Sequence, residues 1–435
     1  MKRVAFFALG CKVNHYEADA MAGLFENAGY RIVDFDAPAD CLVIHSCSVT
    51  QAAERKSRQM IRKARRSNPQ AVVVVTGCYA QIAPETIQTI PGVDLVIGTH
   101  GRSQIVDEVE HLMIDQGVVN RVGDIKGLTG YEEMALSTYA SRTRGFIKIE
   151  EGCDQYCAYC IIPYARGPVR SRDYASVLNE AGRLAALGVK EIILTGINLG
   201  LYGKDYPGGP NLMDILAGIH EMDGIQRIRI SSIEPTEVTE TLLDAMEAMP
   251  KICRHLHIPL QSGDDDVLRR MNRKYRAADF LAVADAFRKR FPGGGISTDV
   301  IVGFPGETDM QFDHTCQVAA AAAFSRMHIF PYSIRPGTAA AQMIDQIPDR
   351  VKDERIRFLM RQAASQSLDF HHRLLGETLT VLVEERHHPG GHWEGWTDHY
   401  VRAGFDSEDD LANQMVMIKV THASTAGVKG IRVES

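Results

Sequence analysis

Three cysteines, Cys153, Cys157 and Cys160, stand at C-x3-C-x2-C spacing. Ionised thiols bind iron–sulfur clusters, and a cubane normally takes four of them. Three protein ligands leave one iron open to an exogenous ligand. A closed structural zinc site would need a fourth ligand and paired CxxC units. No such pair stands nearby, so the spacing points to a cluster with an open corner. Cys11, Cys47 and Cys78 are far apart in sequence but share a context. Each lies just beyond the C-terminal end of a predicted strand. In open parallel sheets those ends converge on one crevice, where ligands bind. Each of these thiols alone would be read as a packing cysteine. Their common position favours a metal or a second cluster. Cys41, Cys253 and Cys316 match no motif, and packing accounts for them.

The elements that must position these residues follow from periodicity. Residues 1–115 alternate strand and helix. Strands are predicted at 4–9, 41–46, 72–77 and 93–98, with helices near 15–28, 50–67 and 80–89. Residues 72–76 are an unbroken β-branched run, as expected of a parallel strand buried on both faces. This predicts an open parallel α/β sheet domain over 1–116. Residues 117–143 read as a linker with some extended structure. A second series supplies strands at 145–151, 190–196, 226–232, 255–260, 296–303 and 325–331. Helices follow near 173–187, 211–222, 237–248, 264–273, 307–323 and 350–370, and one at 277–291 precedes the fifth strand. Six βα units are too few for an eightfold barrel. They predict a partial (β/α)6 barrel over 144–372, with its site at the C-terminal strand ends. Strands at 378–384, 396–405, 414–421 and 428–433, separated by turn-rich stretches such as 388–392, predict a small OB-like β-barrel over 373–435.

The chain has 435 residues, 45% hydrophobic and 24% charged. These ordinary values exclude whole-chain disorder and a small disulfide scaffold. No apolar run reaches the ~18 residues needed to span a bilayer. The apolar start carries no convincing cleavage site and reads as a buried first strand. A cytoplasmic protein is expected, in which nine cysteines are not structural disulfides. The net charge of −7 argues against a simple basic nucleic-acid coat protein. Cations nevertheless cluster. Arg55, Lys56, Arg58, Arg62, Lys63, Arg65 and Arg66 fall within twelve residues, and Arg269, Arg270, Arg273, Lys274 and Arg276 form a second group. Both are candidate phosphate contacts, against the alternative of a solvated helix face. Residues 376–435 hold ten acidic and five basic residues, a net of −5. There Trp393, Trp396, Tyr400 and the histidines 387, 388, 392 and 399 are candidates for stacking or hydrogen bonding to bases.

The C-x3-C-x-aromatic-C stretch, with Tyr159 beside the last cysteine, resembles the signature of radical S-adenosylmethionine enzymes. The stretches Leu9-Gly10-Cys11-Lys12-Val13-Asn14, Ser46-Cys47-Ser48-Val49-Thr50 and Thr76-Gly77-Cys78-Tyr79-Ala80-Gln81 resemble the three cluster motifs of the methylthiotransferases. Other stretches agree, among them Ile161–Gly167, Ser231–Pro235, His257–Gly263 and Thr298–Thr308. The C-terminal segment resembles the TRAM domain, an RNA-binding module. The resemblance covers essentially the whole chain. Two departures stand out. His45-Ser46 precedes Cys47 where Asn-Thr is usual, which changes hydrogen bonding around that ligand. Pro168 stands where a basic residue is frequent, which removes one candidate phosphate contact.

The resemblance implies two [4Fe-4S] clusters, on Cys153, Cys157 and Cys160 and on Cys11, Cys47 and Cys78. At the first, S-adenosyl-L-methionine chelates the open iron, and one-electron reduction yields a 5′-deoxyadenosyl radical. The second carries or supplies sulfur, which a second S-adenosylmethionine methylates. Tyr159, Asn198, Glu234, Gln261 and Asp299 are the candidate cofactor-binding residues. The last four stand at barrel strand ends, where capping a following helix or satisfying loop amides is the alternative for each. The Cys-Lys-Val-Asn stretch is similar to the branch acting on N6-threonylcarbamoyladenosine. The isopentenyladenosine branch typically reads Cys-Gln-Met-Asn and the ribosomal-protein branch Cys-Pro-Lys-Asn. The implied reaction is methylthiolation at C2 of that adenosine at tRNA position 37. Partners would be the tRNA anticodon loop and an electron donor such as flavodoxin or ferredoxin, with the enzyme monomeric. Methylthiolation of isopentenyladenosine 37 or of a ribosomal-protein aspartate is the same-class alternative. A non-catalytic iron–sulfur RNA-binding protein is the different-class one.

Overall fold

The computed structural model describes residues 1–115, 117–134, 143–387 and 391–433. In the first part, strands β1 (Arg3–Ala8), β2 (Arg31–Val33), β3 (Cys41–Ser46), β4 (Val72–Gly77), β5 (Leu95–Val96) and β6 (Val119–Asn120) form one sheet. Their order is β2-β1-β3-β4-β5-β6, and every pairing is parallel. The central strands β3 and β4 are buried at every position, as their apolar runs require. Helix α1 (Lys12–Asn27) follows β1, α2 (Gln51–Ser67) follows β3, and α3 (Cys78–Ile82) follows β4. One apolar layer gathers around Phe25 on one face, and a second around Ile61 on the other. Thr50 caps α2 by accepting from the Ala53 amide at 3.1 Å, a contact worth about 1 kcal/mol.

Three features differ from the sequence reading. Strands β2 and β6 are too short to show a period, and β6 draws the start of the predicted linker into the sheet. Helix Ile105–Asp115 was not expected. The helix expected near 80–89 is two helices, because Pro84 lacks an amide hydrogen and starts a new one, Pro84–Gln88.

The middle of the chain contains β7 (Arg144–Lys148), β8 (Glu150–Glu151), β9 (Arg170–Ser171), β10 (Glu191–Thr195), β11 (Arg227–Ile230), β12 (His255–His257), β13 (Gly295–Val302) and β14 (Arg326–Pro331). The sheets β11-β10-β7 and β12-β13-β14 are joined by parallel bridges Ile228↔Ile252 and Ser232↔His257. Six parallel strands thus curve through one partial barrel, as six βα units predict. Leu194, Ile228, Leu256 and Val300 lie in its single large core.

Helix Asp349–Arg373 leads into a closed five-stranded barrel. Its strands are β15 (Thr378–His387), β16 (His392–Thr397), β17 (Arg402–Asp406), β18 (Met415–Ser424) and β19 (Gly427–Arg432). The strand expected over 396–405 is instead the β16–β17 hairpin. Its turn carries Tyr400 with φ at +62°. Several of the expected stacking residues are wholly or partly buried. Trp393 is buried and donates to the Asp409 carbonyl at 3.1 Å. Trp396 and Tyr400 pack on each other. His399 is buried, His392 is bonded to Asp406, and His388 lies outside the described residues. No helix among the described residues is long and apolar enough to cross a membrane.

Candidate active site

Three neighbouring parallel strands deliver the first thiol set. Cys11 is the residue before α1, Cys47 follows β3 directly, and Cys78 opens α3 after β4. Burial and the nearby Cys78 and Cys11 push the Cys47 thiol up to about 12. Gly10 permits this approach. Its φ is +101°, and a Cβ there would lie 2.7 Å from Cys47 Sγ. Neighbouring His45 is fully buried, with Nε2 3.0 Å from Glu17 Oε2. Burial outweighs that carboxylate and keeps the imidazole below its usual range.

The second set sits on the loop after β8. Cys153 N–H donates to the Gly167 carbonyl at 3.1 Å, and Cys160 N–H to the Cys157 carbonyl at 2.9 Å. Burial pushes the Cys153 thiol up to about 12. Burial and the neighbouring Cys157 push Cys160 up too. Gly152, at φ +86°, lets the loop pass Pro168, whose carbonyl oxygen would lie 1.8 Å from a Cβ. The Pro168 departure therefore sits against the backbone that presents Cys153. Arg170, two residues on, is buried and donates back to the Pro168 carbonyl at 2.9 Å.

A tetrahedral zinc with Zn–S near 2.3 Å holds its sulfurs about 3.8 Å apart. Among the described residues, neither cysteine trio lies mutually within 4.8 Å. Neither set is therefore drawn up as a closed single-ion site. All-thiol donors suit iron–sulfur ligation, and metal binding would release the protons that burial holds on Cys47, Cys78, Cys153 and Cys160.

Two cavities adjoin the thiols. One, of about 210 Å³, is lined by Tyr159, Cys160, Gln261, Asp299 and Phe330 among others. The other, about 570 Å³, is lined by Cys11, Lys12, Ser231, Ser232, Asp299 and Phe330 among others. Asp299 and Phe330 line both, so the cavity beside Cys160 and the cavity beside Cys11 share part of their walls. A further cavity, about 720 Å³, lies between the (β/α) core and the C-terminal barrel and touches none of these thiols.

Of the polar residues singled out from sequence, Tyr159, Gln261 and Asp299 line the cavity of Cys160. Gln261 has φ +61°, and its Oε1 is buried without a partner. A ligand bearing donors would satisfy it. Asn198 and Glu234 do not line that cavity. Both Asn198 amide atoms are buried and unpartnered, while its backbone N–H donates to Glu150 Oε2 at 2.9 Å. Glu234 pairs with Arg273. Arg273, read from sequence only as a phosphate candidate, donates to Cys157 Sγ at 3.3 Å.

The structure also joins the two thiol sets through a buried charge cluster that sequence reasoning missed. Glu17 of α1 meets Arg102 at 2.5 Å, Lys148 at 2.6 Å and Arg166 at 2.8 Å. Glu151 meets Lys148 at 2.6 Å and Arg166 at 2.7 Å. These side chains are at most 1% exposed. Arg166 follows the second thiol loop. Burial raises the Cys78 thiol of the first set, and the positive charge of Arg166 acts to lower it without outweighing burial. The basic groups divide as well. Arg65 pairs with Asp94 and Lys63 with Asp36, whereas Arg55, Lys56, Arg62 and Arg66 are exposed.

A partial barrel presenting three thiols beside a cavity at its strand ends defines a radical S-adenosylmethionine enzyme. Residues 147–319 match the Radical SAM superfamily, and residues 3–98 match the Uncharacterized protein family UPF0004. The chain is 41% identical to the threonylcarbamoyladenosine tRNA methylthiotransferase MtaB of Bacillus subtilis, over 97% of this chain and 94% of that one. It is 33% identical to the tRNA-2-methylthio-N(6)-dimethylallyladenosine synthase of Alkaliphilus oremlandii, over 99% and 92%. The fold resembles the radical S-adenosylmethionine methyltransferase TsrM of Kitasatospora setae, with a TM-score of 0.59 at 16% identity over 78% and 75% of the two chains. The chain belongs to the radical S-adenosylmethionine methylthiotransferase family.

Proposed function

We propose that the protein methylthiolates C2 of N6-threonylcarbamoyladenosine at position 37 of tRNA. One observation carries this reading: a thiol of each set, Cys160 and Cys11, lines one of two cavities that share Asp299 and Phe330. One reaction centre can therefore draw on both. The unactivated C2–H bond resists acid–base chemistry, and the bound clusters with S-adenosyl-L-methionine supply radical and sulfur-transfer chemistry. The higher identity to the threonylcarbamoyladenosine relative supports the substrate over its dimethylallyl counterpart.

The residues divide the work. Cys153, Cys157 and Cys160 hold one cluster, and Cys11, Cys47 and Cys78 the other. Tyr159, Gln261 and Asp299 line the space for S-adenosylmethionine. Arg273 donates toward Cys157 and holds the loop that carries it. Phe330 and Asp299 separate this space from the substrate cavity and shield it from water. Position 37 lies in a single-stranded loop, whose unstacked base can enter a pocket. The exposed cations Arg55, Lys56, Arg62 and Arg66 meet the RNA backbone. The C-terminal barrel acts as a TRAM-type module, and the enzyme works as a cytoplasmic monomer with a flavodoxin- or ferredoxin-type donor. Nucleoside mass spectrometry of tRNA from a strain lacking the gene tests this. Loss of 2-methylthio-N6-threonylcarbamoyladenosine is expected, and an unchanged level refutes the reading.

A further inference from the structure

The cavity beside Cys11 is cationic. Among its lining residues Lys12, Arg229 and Arg326 carry positive charge, and Asp299 is the single carboxylate. Asp299 already has a partner in His257, whose Nε2 lies 3.3 Å away. Arg229 is fully engaged. It bonds Glu191 at 2.8 Å and the Thr397 and Asp398 carbonyls at 3.0 Å each, and lies over the Tyr400 ring. Arg326 is exposed at the rim. Lys12 differs from both. It is half-buried as the first residue of α1. Its ammonium faces the Tyr400 ring at 5.7 Å. Among the described residues no carboxylate lies within ion-pair distance of it. A cavity of about 570 Å³ suits a small ligand, and this one holds a cation without an anion.

We propose that Lys12 binds the carboxylate of the threonylcarbamoyl group and so selects this substrate over adenosines with neutral N6 substituents. The inference rests on the threonylcarbamoyladenosine reading above. A neutral alkyl arm would leave the half-buried ammonium unpaired, and a site built for a polar group rejects analogues that lack it. C2 and the N6 substituent lie on the same edge of the purine. Anchoring the arm beside Cys11 thus turns C2 toward the first thiol set. The Tyr400 ring fixes the ammonium from below, so the C-terminal barrel contributes to selectivity without touching the base.

The test uses reconstituted holoenzyme, wild type and Lys12→Gln, with two anticodon stem-loop RNAs. They are identical except that one carries N6-threonylcarbamoyladenosine with a free carboxylate and the other its primary carboxamide. Wild type should show a kcat/KM about 10–100-fold lower on the carboxamide, the range for a charge-assisted hydrogen bond. The loss should appear mainly in KM. Lys12→Gln should treat the two RNAs alike, and Lys12→Arg should restore part of the discrimination. A wild-type enzyme that turns over both RNAs equally overturns the proposal without any variant. So does a Lys12→Gln enzyme that keeps the full preference, or one that weakens both RNAs by the same factor, which would assign the cation to RNA phosphate. Wild type that modifies neither RNA while forming 5′-deoxyadenosine removes the substrate reading itself, and the role of Lys12 with it.

Discussion

Glu17→Gln keeps the side-chain shape and removes one charge from the cluster that joins the two thiol-bearing parts. In the native protein Glu17 faces Arg102, Lys148 and Arg166 at 2.5–2.8 Å. At an effective dielectric of about 20, unit charges some 4 Å apart interact by roughly 4 kcal/mol. Three such pairs amount to roughly 12 kcal/mol, and the carboxylate's own desolvation offsets most of that. The net loss on removing one partner of a buried network is about 3–5 kcal/mol. For a cooperative unit of this size each kcal/mol is about 2–4 °C, so the first melting transition should fall by about 6–20 °C. Burial raises the Glu17 pKa, but Arg102, Arg166 and Lys148 outweigh it and hold the group well below the usual range. Glu151 is held at about 2 by the same opposition. A depressed folded pKa contributes stability above the unfolded value near 4.5 and loses it as pH falls toward 2. Wild type should therefore weaken steeply below pH 4.5, and Glu17→Gln should show a shallower acid limb. Differential scanning calorimetry at pH 7, 5 and 3.5 reads both effects. A shift under 2 °C at pH 7, or a rise, would refute the reasoning.

Further expectations concern the site and its approach. Cys11→Ala and Cys153→Ala should each halve the iron of anaerobically reconstituted protein, from about eight to about four per chain. Gly152→Ala places a methyl against the Pro168 carbonyl at a left-handed position. It should lower the iron content associated with the Cys153 set while sparing the other, as separate spectra of the Cys11→Ala background would show. Burial pushes Glu150 up to about 8, despite amides donated by Asn198 and Ile197. A raised folded pKa stabilises fully below 4.5 and loses its contribution as pH rises through 8. Glu150→Gln should then match wild type in Tm near pH 4 and exceed it by a growing margin from pH 5 to pH 9. Changing Arg55, Lys56, Arg62 and Arg66 to alanine should weaken tRNA binding and flatten its salt dependence by about 0.7–0.9 log units per lost contact. An unchanged slope would place the RNA elsewhere.

The most legible features were local. The β-branched run of β4 and the six βα repeats announce their elements, because burial on one or both faces writes itself into short windows. Cys153, Cys157 and Cys160 were equally plain, since one loop supplies all three. Cys11, Cys47 and Cys78 required the topology rule that strand ends converge. The partners that organise the site were not legible. Glu17 and Arg166 are 149 positions apart, and no periodicity reports such a contact. Arg273 looks like any cation in a basic run until the fold turns it toward Cys157. Tyr400 has the composition of a surface stacking residue, and only a hairpin turn sends it inward.

That hairpin also bears on how the enzyme can be divided. Arg227 and Arg229, on β11 of the barrel, spend their guanidinium hydrogens on carbonyls of Trp396, Thr397, Asp398 and Thr380. These acceptors are backbone atoms, indifferent to the side chains that carry them. Away from the side chains that also meet the core, such as Tyr400 and Glu384, the C-terminal barrel's surface sequence can therefore drift, while its hairpin path cannot. Exchange of this barrel for another would succeed only with a donor whose hairpin follows the same trace.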